Sequence, residues 1–437
     1  MIPSEYNSIK EPKSNPVSKI LLSPLFVPAV FIVGIATRLF WLLMFHPDPQ
    51  SDYAFYLQSA ESIVSGHGYA TSDGSATAYF PIGYPLFLAA LFRIFGISVT
   101  VVQAANVILS VASLFLAYPI ARHLFKSETV GRFFLLLLAI YPNNIAYTSL
   151  VAVETFYLFL MFLGVALLLP CMSNDGRTHY VRLLLAGLVF GYATLVKAQT
   201  LLLPGLLLLL FPLLALKWKS SLDRLKKIAL LYVVLIAVVS PWIIRNYNLY
   251  HDFLLSNNDG LNLYMGNGPE ATGRWVPIEW FANRDDTLNE HTINVIARKR
   301  ALDYIRTHPG HTLSLIPKKL AALFLPGDGI MWTLRGMKGD EIKSSRDGLM
   351  LLARFDWNYE LLLKIFFICS LLFGVWRRFR EGKGHGWSLL GIVVVLYFVI
   401  TYLVFYGEAR YAIPIYPWMI MYVAALFTTP FVREESQ

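Results

Sequence analysis

Apolar runs of membrane-spanning length, separated by short polar or charged stretches, recur along most of the chain. They fall at roughly 21–45, 99–121, 130–148, 152–170, 182–197, 199–216, 228–245, 359–376, 387–406 and 411–430. Each lies near the ~20 residues that carry a helix across ~30 Å of hydrocarbon, the shorter ones marginally. A backbone in lipid must satisfy its own polar groups, so these runs are predicted to be helices. Composition agrees. Of 437 residues, 56% are hydrophobic and 15% charged, with a mean hydropathy of +0.54, whereas a soluble domain carries about 25% charged residues. The fold class is an all-α polytopic membrane protein with about 10 transmembrane helices, within a range of roughly 10–12.

The polar stretches orient the bundle. Residues 1–20 hold Lys10, Lys13 and Lys19 and no apolar run, and no small-residue cleavage site follows the first span. They are read as a cytoplasmic tail before a retained signal anchor. Basic residues crowd four connections: Arg122, Lys126 and Arg132; Arg177 and Arg182; Lys217, Lys219, Arg224, Lys226 and Lys227; and Arg377, Arg378, Arg380 and Lys383. With the N-terminus inside, all four are cytoplasmic, as the positive-inside bias requires. The same bias accounts for the net charge of +9 and pI of about 9.3 without any nucleic-acid partner. Cys171 and Cys369 lie in or beside apolar segments and are expected as free thiols.

This topology divides the chain. Residues 1–20 form the tail, 21–245 a transmembrane bundle with an external loop at 46–98, and 246–350 a large external loop or subdomain. Residues 351–430 supply the last transmembrane helices and 431–437 a cytoplasmic tail. Within the large loop, Pro317, Lys318 and Lys319 interrupt the apolar 311–326, which is read as an interfacial helix.

The loop after the first span, from His46 to Pro85, is where chemistry is sought. No Lys or Arg lies between Arg38 and Arg93, while Asp48, Asp52, Glu61 and Asp73 stand among tyrosines and glycines. Asp52 opens a helical pattern with Phe55, Leu57, Ala60, Ile63 and Val64 on one face, an amphipathic helix for the membrane surface. Ser51 or Asp52 is then either an N-cap or, for Asp52, a general base near the apolar boundary. Glu154 begins a span among apolar neighbours; an acid at that depth is a functional candidate, or else a carboxylate reaching the headgroups. Lys197, Arg245 and Arg410 lie at outer span ends, against the charge bias, and suit a phosphate. Their alternatives are an ion pair, Glu408 with Arg410, or snorkelling to lipid. Asp48, Asp52, Glu154 and Glu408 are carboxylates open to a divalent cation, although no spacing demands a metal, and no P-loop, Rossmann, zinc or nucleophile-elbow motif is present.

In order, SDYAFY, GHGY with YFPIGYP, YPNN with VE, PWIIRNY, NDGLNLYMGNGPEATG and RYAIPIYP resemble the GT-C superfamily of integral-membrane glycosyltransferases. The likeness is to the branch of protein O-mannosyltransferases and lipid A aminoarabinose transferases, and it extends from about residue 25 to 420. It implies a GT-C-type bundle with amphipathic surface helices in the first external loop. It makes Asp52 the catalytic base and Glu154 its assistant. It places a donor phosphate on Arg410, with Tyr411 beside it, and then on Lys197 and Arg245. Substrate contacts fall on Tyr56, His67, Tyr84, Asn262 and Asn267, within the matching motifs. The paired acids of some relatives are absent at Ser51-Asp52-Tyr53, so no cofactor or metal is implied.

The implied reaction is an inverting transfer from a polyprenyl-phosphate sugar to a glycan, lipid or protein hydroxyl. It would run at the outer face of a bacterial-type inner membrane. Two other readings stand beside it. An O-antigen polymerase or ligase would lean on arginines and a diphosphate-linked donor. A lipid or sugar transporter would favour mid-membrane charges and paired broken helices.

Overall fold

The computed structural model describes residues 16–172, 179–214, 221–278, 289–338, 340–381 and 389–428. The tail residues Lys10 and Lys13, Arg177, Lys217, Lys219, Lys383 and the stretch 431–437 lie outside them. The chain runs α1 (Pro16–Leu22), α2 (Phe26–Met44), α3 (Asp52–Val64), α4 (Gly83–Phe95), α5 (Val99–Phe125), α6 (Glu128–Ala139) and α7 (Pro142–Ala146). It continues α8 (Val153–Leu168), α9 (Tyr180–Val196), α10 (Leu203–Leu214), α11 (Ser221–Tyr250), α12 (Asp259–Asn267) and α13 (Glu290–Thr307). The last helices are α14 (Pro309–Leu323), α15 (Gly329–Gly336), α16 (Asp340–Glu381), α17 (Leu389–Val404) and α18 (Tyr416–Thr428). Among the described residues the only β pairing is an isolated bridge between Ala70 and Ala76.

Every expected span meets a helix. Among the described residues five helices, α2, α5, α8 with its extension to Met172, α11 and α16, are long and apolar enough to cross a membrane. The spans expected at 182–197, 199–216, 387–406 and 411–430 meet α9, α10, α17 and α18, of 17, 12, 16 and 13 residues. The span expected at 130–148 is not straight: α6 and the segment Pro142–Ser149 meet at 55°. Pro142 is the cause, because it cannot donate to the preceding turn and holds Tyr141 extended at φ −65°, ψ 112°. The break delivers the YPNN segment to one end of the bundle.

Helix α8 is the central post. Its apolar stretch is 72% buried, against 22% for α2, α11 and α16, whose outward Phe40, Val233 and Leu372 are exposed as lipid-facing side chains are. It packs on α5 and α9, and α9 packs on α11. Gly187 and Gly191, four apart on α9, permit that last approach: a Cβ there would lie 2.9 and 2.8 Å from the Cβ atoms of Val234 and Val238. Small residues at this spacing let two backbones approach in a membrane, where dispersion replaces the hydrophobic drive. Arg38 is buried in α2 and ties three helices together, donating to Ser110 Oγ at 2.7 Å and to the carbonyls of Gly34 and Ala139 at 2.9 Å.

The two ends of the bundle differ. At one, Arg132 donates to the carbonyls of Leu21 and Ser23 at 2.8 and 2.9 Å, and Lys227 to that of Cys171 at 3.2 Å. At the other, the first turns of α3, α4 and α8 meet the end of α9. Helices α12 to α15 gather on that second end, with α12 against α13 and α14 against α17. Helix α14, within the stretch read as interfacial, has 15 residues. Its Lys319 is buried, donating to Asn267 Oδ1 at 2.8 Å and to the carbonyl of Leu403 at 2.9 Å. Burial without a counter-ion pulls the Lys319 ammonium down to about 8.

Candidate active site

Asp52 is the first residue of α3, and its carboxylate does not cap the helix. Ser51 occupies the N-cap position at φ 54° with no capping hydrogen bond from its side chain. Asp52 Oδ2 instead accepts from Arg410 Nη1 at 2.7 Å, across 358 positions of sequence. Arg410 sits in the 3₁₀ turn Ala409–Ala412 between α17 and α18, and its Nε donates to Glu408 Oε2 at 2.8 Å. One guanidinium therefore bridges two carboxylates. Asp52 keeps 25% of its side chain exposed, so its pair remains reachable.

A second pair lies alongside. Glu154, in the first turn of α8 and 2% exposed, accepts through Oε1 from Lys197 Nζ at 3.3 Å. Lys197 directly follows α9. The Tyr411 ring joins the two pairs, with Lys197 Nζ 6.0 Å and the Arg410 guanidinium 5.5 Å from its centre. That ring is fixed by stacking on Tyr402, 4.6 Å away and 4° from parallel, and by a 3.0 Å hydrogen bond to Tyr406. Three anions and two cations thus meet around one rigid aromatic, close enough to act on a single ligand.

A fourth carboxylate enters from a segment to which sequence reasoning gave no role. Asp328 precedes α15, in Leu325-Pro326-Gly327-Asp328-Gly329, and Tyr147 donates to its Oδ2 at 3.5 Å. Burial first, then the charge of Glu408, push Asp328 up to about 6, with Arg410 opposing. The loop is held from both sides: Gly329 N–H donates to Asn143 Oδ1 at 2.8 Å and Gly327 N–H to Glu360 Oε2 at 3.4 Å. Its Pro-Gly and Asp-Gly pairs read locally as a turn and nothing more. Tyr53 was equally silent, being one tyrosine among several in its helix.

Other expected residues stand elsewhere. Tyr56 and Tyr84 are buried just under the site, their rings 5.3 Å apart. Arg245 is turned to the first external loop, donating to the carbonyls of Thr77 and Tyr69 at 2.7 and 3.0 Å and to Asn246 Oδ1 at 2.9 Å. His67 is exposed in the turn after α3, and Asn262 is half-buried on α12. Asn267 holds Lys319 and the carbonyls of Leu263 and Val404. Helix α3 buries Tyr53, Tyr56, Ser59 and Ala60 in the protein, while Phe55, Leu57, Ile63 and Val64, on the face read as apolar, are partly covered. The tyrosines win because their rings fill the space between α3 and α4 with large aromatic area. Asp48 pairs with Lys338, and Asp73 closes a turn on Thr71 and Ser75. Among the described residues no three His, Cys, Asp or Glu side chains gather as a metal set, and Arg410 already supplies the cation between Asp52 and Glu408.

A bundle of membrane helices with carboxylates and cations gathered at one end defines an integral membrane protein with a polar site at the mouth of the bundle. Residues 80–244 match the family model of dolichyl-phosphate-mannose-protein mannosyltransferases. An oligosaccharyltransferase from Archaeoglobus fulgidus, solved with zinc and sulfate, superposes with a TM-score of 0.53 at 15% identity, over 93% of this chain and 49% of its own. The AglB oligosaccharyltransferase of the same organism, solved with an inhibitory peptide and a dolichol-phosphate, gives 0.52 at 13% identity over 92% and 50%. ArnT from Cupriavidus metallidurans bound to undecaprenyl phosphate gives 0.45 at 15% identity over 94% and 78%. A search of curated protein sequences returned no match. The chain spans about half the length of the two oligosaccharyltransferases. Over most of this chain the fold is that of the two oligosaccharyltransferases, and residues 80–244 carry the family-model match.

Proposed function

We propose that this chain is an inverting glycosyltransferase. Its donor is a polyprenyl-phosphate sugar, its acceptor a hydroxyl of a cell-envelope glycan, lipid or protein. The reaction runs on the outer, periplasmic face of a bacterial-type inner membrane. The observation that carries this reading is Arg410 bridging Asp52 and Glu408 beside the Lys197–Glu154 pair. Its place at the end of the bundle away from Arg132 and Lys227 supports the outer assignment.

In this mechanism Asp52 takes the proton of the acceptor hydroxyl as that oxygen attacks the anomeric carbon. The carbon–oxygen bond to phosphate breaks on the opposite face, inverting the centre. Phosphate is a competent leaving group, so its growing charge needs cations rather than a general acid. Arg410 offers a planar fork for it and Lys197 a point charge. The starts of α3, α4 and α8 add three helix N-termini facing the same region. Arrival of the phosphate draws Arg410 from Asp52 and frees the base only when a donor is present. The lipid tail has a place to lie: an apolar groove of about 650 Å³ between α10 and α17, lined by Gln199, Leu202, Leu206, Val393, Tyr397 and Ile400 among others. It begins at Ala198, the residue after Lys197.

The test is transfer by the purified full-length chain in nanodiscs, supplied with synthetic polyprenyl-phosphate sugars and envelope acceptors, with products read by mass spectrometry. A product of inverted anomeric configuration is expected, and its yield is expected to survive a chelator. Turnover of diphosphate-linked donors alone would move the chain to the polymerase or ligase class. Loss of activity in chelator, restored by a divalent cation, would overturn the assignment of charge neutralisation to Arg410 and Lys197.

A further inference from the structure

Three buried polar atoms in and just under the site have no hydrogen-bond partner among the described residues. Tyr53 Oη, Tyr84 Oη and Glu154 Oε2 are all buried and unpaired, three of the seven such side-chain atoms among the described residues. Their side chains are 3%, 1% and 2% exposed. Leaving such groups unpaired is costly, and a protein keeps several of them together chiefly where a ligand completes them.

They converge because three helices begin there. Tyr53 is the second residue of α3, Tyr84 the second of α4 and Glu154 the second of α8. The start of α4 is pressed on the end of α9: a Cβ on Gly83 would lie 2.5 Å from the carbonyl carbon of Leu195, two residues before Lys197. The Tyr84 ring is 6.3 Å from that of Phe156, two residues beyond Glu154. Both tyrosine hydroxyls are pushed up, first by burial and then by the charge of Glu154. The Tyr53 hydroxyl also approaches Tyr147 but closes no hydrogen bond with it.

The donor and acceptor count selects the ligand. Glu154 Oε2 only accepts, so a phosphate oxygen cannot complete it. Lys197 already neutralises that carboxylate through Oε1, so an ammonium gains little from it. A hydroxyl that donates to Glu154, next to oxygens that accept from the tyrosines, satisfies all three. We propose that Tyr53, Tyr84 and Glu154 form the pocket that reads the ring hydroxyls of the transferred sugar, so that the donor carries a neutral, hydroxylated sugar. This rests on the glycosyltransferase reading above. Tyr53 and Tyr84 are specificity residues in it, separate from the phosphate cations.

The experiment uses the full-length chain in nanodiscs with Tyr53→Phe and Tyr84→Phe, changes that remove one oxygen and keep the ring. Two quantities are read: binding of polyprenyl phosphate without sugar, and kcat and KM for a neutral sugar donor and its singly deoxygenated analogues. Binding of the sugarless lipid is expected to stay within about twofold, while KM for the full donor rises about tenfold in each variant. Wild type is expected to disfavour one deoxy donor by about a hundredfold, and the matching Tyr→Phe variant to lose most of that preference. Unchanged KM and unchanged discrimination in both variants, with wild type active, overturn the pocket alone. Equal weakening of sugarless lipid binding reassigns these atoms to phosphate and also overturns it. A wild type that turns over no polyprenyl-phosphate sugar brings down the glycosyltransferase reading and this proposal with it.

Discussion

Arg245 and Arg410 look alike in the sequence, each ending a span, yet they do opposite things with their donors. Arg245 spends three of its five donors on the chain itself: two backbone carbonyls and an asparagine oxygen accept them, and Trp242 lies under it at 4.8 Å. The acid nearby is full. Glu290 accepts from Thr77, Ala78 N–H, Tyr250 and Asn257 at 2.6, 2.8, 2.6 and 3.1 Å. Among the described residues Arg410 donates its hydrogen bonds to two carboxylates, and Glu154 keeps an oxygen that they do not bond. The Arg245–Glu290 cluster gives most of its hydrogen bonds to one loop, whereas the Arg410 cluster at the same end of the bundle gives its own to carboxylates, and on the proposed function that difference marks the site.

The largest effect that tests this contrast is at Asp52. Asp52→Asn is expected to lower kcat by on the order of 10³-fold, because general-base catalysis contributes about 10²–10⁴, while binding of polyprenyl phosphate stays near wild type. An active Asp52→Asn enzyme would remove the base from the mechanism. Arg410→Lys keeps the charge and loses the fork that spans Asp52 and Glu408, so kcat/KM is expected to fall by about 10²-fold. A lysine enzyme of wild-type activity would mean that bridging does not matter.

The Arg245–Glu290 cluster is expected to respond in stability instead. Arg245→Met strands the carbonyls of Tyr69 and Thr77 and is expected to cost about 2 kcal/mol, read as a lowered Tm in detergent, with kcat/KM of the folded fraction within about threefold of wild type. A catalytic defect without a Tm change would put Arg245 back among the phosphate ligands.

The smallest effect concerns pH. Asp328, raised to about 6 when folded, binds its proton more tightly in the native state than in the unfolded chain. Its neutral form is the stabilising one. That contribution is complete below the unfolded value near 4 and is lost as pH climbs through about 6. Asp328→Asn, a mimic of the neutral acid, is therefore expected to be more stable than wild type at pH 8 by on the order of 2 kcal/mol, with the gap closing at pH 4–5. Thermal melts at both pH values check the sign; a gap that widens on acidification contradicts it.

Much of this was legible in the chain. The apolar runs mark where helices stand because period and length act locally. Asp52, Glu154, Lys197 and Arg410 drew notice because a charge at a span end is costly unless it has a partner. Asp328 did not, because Pro-Gly-Asp-Gly is explained by a turn, and its burial depends on Asn143 and Glu360 from distant helices. Arg245 was over-read for the converse reason: nothing local reveals that the carbonyls of Tyr69 and Thr77 come to meet it. Hydropathy marked the apolar face of α3 but not its protein-buried one, because packing against α4 selects the aromatic area of Tyr53 and Tyr56.

By itself, then, the sequence determined the class, where the apolar helices stand, and which end of each carries unusual charge. These follow from transfer free energies that each residue brings along wherever it sits. Only the tertiary structure decided which charges meet. The Asp52–Arg410 contact joins residues 358 positions apart, and the loose valences of Tyr53, Tyr84 and Glu154 exist only where three helix starts converge. Hydrogen-bond saturation is a property of neighbours in space, and those neighbours are set by helix packing rather than by any single stretch of chain.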